Sequence, residues 1–270
     1  METSSKIIEK LIEIYGEKIK LREGNYYFYT HYQYSLPIPL EIKDNCVEFH
    51  SSDILDYVSG RVVRMLCNKY GIIEKDDYKN HCYMVIDTLD EIAIKAKVGK
   101  FLTAVMSAYI FNENIDIIEI YKNDEEFIMD RYGKIKTDMN KVKGYLLENK
   151  WTQNIKDIEK GFEVETVLAD EKGKPFKVLV TDEDTGVYVS TNHNYKKLLK
   201  MKDAESVLGY FKCEFFEELN RFECQLKLED SVEYFIEFII TILLIAENIP
   251  AFQVTIESGE YNWAGGDYFE

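Results

Sequence analysis

Two tripeptides come nearest to chemistry. Glu41-Ile42-Lys43 and Gln225-Leu226-Lys227 each set an acidic or amide group two positions from a lysine. On a strand that spacing puts both side chains on one face. A carboxylate and a lysine around a bound metal form the core of a metal-dependent nuclease. Such a core also needs an aspartate on the preceding strand, and no aspartate precedes Glu41. Alternating charges on a solvated strand face account for both tripeptides more simply.

Other chemistry finds less support. His31, His50, His81 and His193 are dispersed, without the HxxxH or HExxH spacing that aims two imidazoles at one zinc ion. His81 and Cys82 are neighbours in a strand pattern and point to opposite faces. The chain contains neither GxxxxGK[ST] nor a GxGxxG loop after a strand. Gly173-Lys174-Pro175 reads as a turn with a solvated lysine. No serine or cysteine stands in a recognisable nucleophile elbow. The expectation is therefore a chain with no catalytic, cofactor-binding or metal-ligating residues.

The elements that carry these residues follow one order twice. Ile7, Ile8, Leu11, Ile12 and Tyr15 recur at helical spacing. Strands are expected at 26–33, 38–43 and 47–50, with Pro37 and Pro39 putting the second at a sheet edge or delaying its start. Val58, Val62, Met65, Leu66 and Tyr70 stripe a second helix that Gly71 stops. A hairpin ending in a strand at 81–88 leads to a third helix, opened by the capping-box pair Thr88 and Glu91, and ending near Phe111. A closing strand is expected at 115–121.

From Met139 the order begins again. A helix at 139–147 precedes strands at 162–168, 176–181 and 187–191, joined by turns at 170–174 and 182–186. A helix at 195–208, a hairpin of 210–216 and 222–228, a helix at 232–247 and a strand at 251–257 complete it. Corresponding positions lie 132 to 142 residues apart, as in Ile7 to Met139 and Cys82 to Cys224. Residue identity between the halves is low, so two unrelated domains of similar order are the alternative to a duplication. The fold class expected is α+β, with two similar subdomains that each pack helices on an antiparallel sheet. Domain limits fall at 1–128 and 129–257, with an acidic aromatic tail at 258–270.

This order, helix, three strands, helix, two strands, helix, resembles the type III secretion chaperone-like fold. Proteins of that fold are small, acidic, cytoplasmic and dimeric, and they bind extended segments of other proteins. The resemblance implies a dimer fused into one polypeptide, although the strands at 115–121 and 251–257 depart from the pattern. The first half also resembles an uncharacterised domain of bacterial and mobile-element proteins, through LPIPLEIKDNCVEFH and RVVRMLCNKYGI. Shape alone does not fix function.

Composition narrows the partners. The chain has 270 residues, 46% hydrophobic and 30% charged, and its 33 basic against 49 acidic residues leave a net charge of −16. That balance opposes binding to nucleic acid, where Lys and Arg must displace counterions, and docking on an anionic membrane. It favours basic protein surfaces. Cys46, Cys67, Cys82, Cys213 and Cys224 are odd in number and lack CxxC spacing, which suits a reducing cytoplasm better than a disulfide framework. The most apolar run, 239–246, is far short of the roughly 20 residues that cross a bilayer.

Two aromatic segments stand out as candidate partner-binding surfaces. Tyr26, Tyr27, Tyr29 and Tyr32 crowd large rings onto both faces of one strand. At the C-terminus Glu257, Glu260 and Asp267 alternate with Tyr261, Trp263, Tyr268 and Phe269, a composition suited to a basic, apolar groove. The function expected is a non-enzymatic acidic protein-binding module. Lys-, Ile-, Asn- and Tyr-rich usage points to an AT-rich genome, so one version is a phage or mobile-element inhibitor of a nucleic-acid-acting defence enzyme. A chaperone-like or immunity protein is a second reading, and an enzyme of unrecognised type, such as a metal-dependent nuclease, a third. Exposed closing strands also offer edges for homo-oligomers.

Overall fold

The computed structural model of the protein describes residues 2–29, 37–51, 55, 58, 60–75, 81–123, 139–148, 151–183, 186–191, 213–216, 221–226 and 248. They belong to two compact units. The first includes Met1–Asn112 and Val167–Pro175, and the second Glu113–Thr166 and Phe176–Ile249. The fold is α+β.

In the first unit, helix α1 (Glu2–Tyr15) leads through a short 3-10 turn into strands β1 (Ile19–Arg22), β2 (Asn25–Tyr29), β3 (Pro37–Ile42) and β4 (Val47–His50). Helix α2 (Gly60–Tyr70), strands β5 (Ile73–Glu74) and β6 (Cys82–Ile86), and helix α3 (Glu91–Asn123) follow. The strands form one sheet in the order β1-β2-β3-β4-β6-β5, with every neighbour antiparallel.

β1 answers no expected strand. It exists because Glu23 and Gly24 both adopt positive φ, 50° and 83°, and fold Arg22 back onto Asn25. Two positive angles in a two-residue loop make the tight hairpin turn whose twist matches that of the strands. The two prolines do not put β3 at an edge. It lies between β2 and β4, but β4 pairs only from Leu40 onward, whereas Pro37 and Pro39 face Tyr29 and Tyr27 of β2. Their missing N–H groups sit where the β4 ladder has already ended.

One face of this sheet holds the core. Phe28, Ile38, Leu40, Phe49, Cys82, Met84 and Ile86 share it by strand alternation and are all buried. Each helix reaches it. Tyr15 of α1 meets Phe28 edge-on at 5.3 Å, and Phe101 of α3 meets Phe49 at 6.1 Å. Cys67 of α2 and Cys82 are free thiols joined by a hydrogen bond, which raises the Cys67 thiol, with burial adding to it, and lowers that of Cys82. α2 ends as expected at Gly71, where the Ile72 N–H returns to the Cys67 carbonyl at 2.9 Å.

Two expectations about α3 are corrected. Its cap is Asp90, whose carboxylate accepts the Ala93 N–H at 2.7 Å, while Thr88 accepts the N–H of Asp90 at 3.1 Å. The segment 115–121 is the last part of this helix and not a strand. Neither Gly nor Pro interrupts Glu113 to Asn123, so the helix has no stop signal there.

Phe101 to Ala108 of α3 are buried without exception, so this stretch is enclosed on all sides. Besides the sheet, it meets Val167–Pro175. The Thr103 hydroxyl donates to the Gly99 carbonyl at 2.8 Å and accepts the Ala169 N–H at 3.1 Å. A Cβ on Gly99 would stand 2.6 Å from the Ala169 Cβ, so only glycine lets the two backbones approach this closely. Asp170 shapes the adjoining turn, its carboxylate accepting the N–H groups of Lys172 and Lys174.

The second unit holds α4 (Met139–Glu148), β7 (Thr152–Ile158), β10 (Gly186–Thr191), β11 (Cys213–Phe216), β12 (Arg221–Leu226) and most of β8 (Gly161–Ala169) and β9 (Pro175–Glu183), whose ends at Val167–Ala169 and Pro175 belong to the first unit. The sheet order is β7-β8-β9-β10-β12-β11, which repeats strand for strand the order of the first. β7, like β1, is a strand the sequence pattern did not announce. Its TQNIKDI carries too few apolar residues to alternate visibly. Each sheet has six strands among the described residues, with β1 and β7 in addition to the strands expected before the long third helix of each half. The expected helices at 195–208 and 232–247 and the strand at 251–257 lie outside the described residues. Among the described residues, no helix is long and apolar enough to cross a membrane.

Truncating Phe101 to alanine removes a fully buried ring from the Phe28–Phe49 cluster and should cost about 3–5 kcal/mol in urea unfolding. Thr103→Val keeps the volume but strands the buried Ala169 N–H, and should cost about 1–3 kcal/mol. Chemical denaturation followed by circular dichroism checks both.

Candidate functional site

The opposite face of the first sheet is where polar groups collect. Alternation puts Lys20 of β1, Tyr27 and Tyr29 of β2, Glu41 of β3, Glu48 and His50 of β4, and Tyr83 and Val85 of β6 on that side. Strand register fixes what meets what. Glu41 stands directly across from Glu48, and His50 directly across from Tyr83.

The centre of this face is His50. Its Nε2 lies 3.1 Å from Glu48 Oε2 and 3.2 Å from Glu41 Oε2. Its ring stacks on Tyr83, with centroids 5.5 Å apart and planes 18° from parallel, which fixes the direction of Nε2. The His50 and Glu48 side chains are each only 17% exposed, while Glu41 is 51% exposed and its other oxygen pairs with Lys43. The Lys43 ammonium holds the Glu41 carboxyl below the usual carboxylate range, helped by His50 and Lys75. Lys43 is raised in turn by Glu41.

Chemically, these are one imidazole nitrogen and two carboxylate oxygens, with donor atoms within 4.8 Å of one another. A set of this kind can share a proton or hold a cation. Sequence reasoning singled out Glu41 and Lys43 but passed over Glu48 and His50. The signal was present: Glu-x-His at 48–50 and Glu-x-Lys at 41–43 are both same-face spacings, separated by a short turn. What made it illegible was the register that aligns them.

The tyrosines expected at a partner surface divide. Tyr27 and Tyr29 share the polar face, their rings 6.5 Å apart. Tyr29 is only 5% exposed, lying beneath Lys20 at 5.7 Å and the Arg22 guanidinium at 4.9 Å. Tyr26 pairs with Leu40 and so belongs to the core side, half-buried near its margin. Tyr32 lies outside the described residues, as do Glu257, Glu260, Tyr261, Trp263, Asp267, Tyr268 and Phe269.

No family model matches this chain, and no curated protein or solved structure matches it.

Two carboxylates directly opposite each other on adjacent strands repel. Glu48→Gln retains the shape and removes one charge, so in EDTA-containing buffer it should raise stability by about 0.2–1 kcal/mol. Urea unfolding of the two proteins side by side checks this. A loss of stability would mean that His50 requires both carboxylates.

Proposed function

We propose that this chain is a non-enzymatic, acidic protein-binding module that covers a basic surface of a partner protein. The observation that carries the reading is the excess of 49 acidic over 33 basic residues. A net charge of −16 repels nucleic acid and anionic lipid, and it accelerates encounter with a positively charged protein. In its concrete form the module is an anti-defence inhibitor of a phage or mobile element, acting in the cytoplasm by occupying the DNA-binding groove of a nucleic-acid-acting enzyme. The half-buried Tyr27 and the acidic aromatic tail from Glu257 supply anchoring rings amid carboxylates, a pairing that suits a basic and partly apolar groove.

The matching strand order of the two sheets supports a tandem duplication of one helix-led unit. It also lends weight to the second reading, a chaperone-like or immunity protein built as a fused dimer and shielding a toxin or secreted client.

Affinity capture from host lysate with the full chain should recover a basic, nucleic-acid-acting enzyme. Binding should weaken as salt rises, because a charge-driven encounter is screened within a Debye length of about 8–10 Å. Removing 261–270 should weaken it further. Capture of an acidic or neutral toxin instead would favour the chaperone-like reading, and no partner at low salt would count against both.

A further inference from the structure

The polar face of the first sheet carries a feature that protein binding by charge does not require. Glu41 and Glu48 are placed directly opposite each other, and both direct an oxygen at one nitrogen of His50. A single imidazole N–H has one hydrogen, so it can give a full, linear bond to only one of the two carboxylates and at best a shared, weaker one to both. Lys43 relieves only the outer oxygen of Glu41. The second carboxylate therefore faces a centre that is short of positive charge.

We propose that Glu41, Glu48 and His50 form a binding site for a divalent transition-metal ion of the Zn2+ class. The distances fit. With metal–ligand bonds of about 2.0–2.2 Å, neighbouring donors stand about 3.0–3.5 Å apart. The two nitrogen–oxygen separations are 3.1 and 3.2 Å. The donor set, one imidazole and two carboxylates, suits zinc, cobalt or nickel, whereas magnesium and calcium prefer oxygen alone. Three protein ligands leave a further position for water or for a donor from another molecule.

The scaffold explains why the donors hold still. Glu48 and His50 occupy alternate positions of β4, an interior strand, and Glu41 is fixed across from Glu48 by the β3–β4 ladder. Tyr83 buttresses the imidazole from β6. Binding uses the neutral ring with its hydrogen on Nδ1, so that the Nε2 lone pair meets the ion. Lys43 competes for Glu41, so its removal should strengthen binding. The site is independent of the partner reading above, and either can hold without the other.

The test is calorimetric titration of the EDTA-treated, dialysed full chain with ZnCl2, paired with CoCl2 titration followed by visible absorption. Saturable uptake of one ion per chain is expected, with the intense d–d bands of a low-coordinate Co2+ site. His50→Ala and Glu48→Gln should each weaken it by more than the roughly 10–100-fold that loss of an outer-shell partner costs. His193→Ala should leave it unchanged, and Lys43→Ala should tighten it. Circular dichroism establishes that each variant is folded; should His50→Ala not fold, the isosteric Glu48→Gln decides. No saturable uptake by the wild type overturns the proposal. So does uptake that survives Glu48→Gln unchanged, or uptake lost equally in His193→Ala.

Discussion

The first sheet gives its apolar side chains to a single face, and the arrangement of the first unit follows from that one-sidedness. Phe28, Phe49, Cys82 and Met84 are brought onto one surface by register, and three helices cover it through Tyr15, Cys67 and Phe101. Burying such rings is the main favourable term available to a domain of this size. Because side chains alternate strictly, every core residue placed on one side commits its neighbour to the other. The Glu41, Glu48, His50 and Tyr83 cluster is the necessary reverse of Leu40, Phe49 and Met84.

Helix α3 carries a second constraint, since its middle is enclosed all round. An enclosed helix must satisfy its polar side chains internally, and it does. Thr103 bonds to Gly99 and to Ala169, and Ser107 bonds to the Thr103 carbonyl at 2.6 Å. Gly99 contributes by having no side chain, which lets Val167 and Ala169 come close enough for the Thr103 bond to form. A bulky residue there would break a contact between segments nearly seventy positions apart. At the start of α3, Lys97 ties the helix to β6 by donating to the Val85 carbonyl at 3.1 Å and to Asp87 at 2.6 Å, which draws the Asp87 carboxyl below its ordinary range.

Electrostatics and fold therefore work at different scales here. The net charge is a property of the whole surface and bears on which partners approach. The His50 cluster is local, and it is set by which strand pairs with which. Neither depends on a sequence motif, so no motif marks the three donor atoms that the assembled sheet brings together.

The sequence alone determined the helices with clean apolar stripes and the strands with strong alternation. α1, α2 and β8 fall close to where their periodicity put them, and Gly71 stops α2 as its conformational freedom requires. The order of the central strands in each half was legible for the same reason, since burial of one face imposes a period on local sequence. Polar β7 and four-residue β1 were not, because edge strands with few apolar residues are specified by their pairing, and the helical course of 115–121 was missed although no Gly or Pro interrupts it. The candidate site was half visible, as Glu41 and Lys43. Only tertiary structure could add Glu48, His50 and Tyr83, because register is a relation between strands and no single strand contains it.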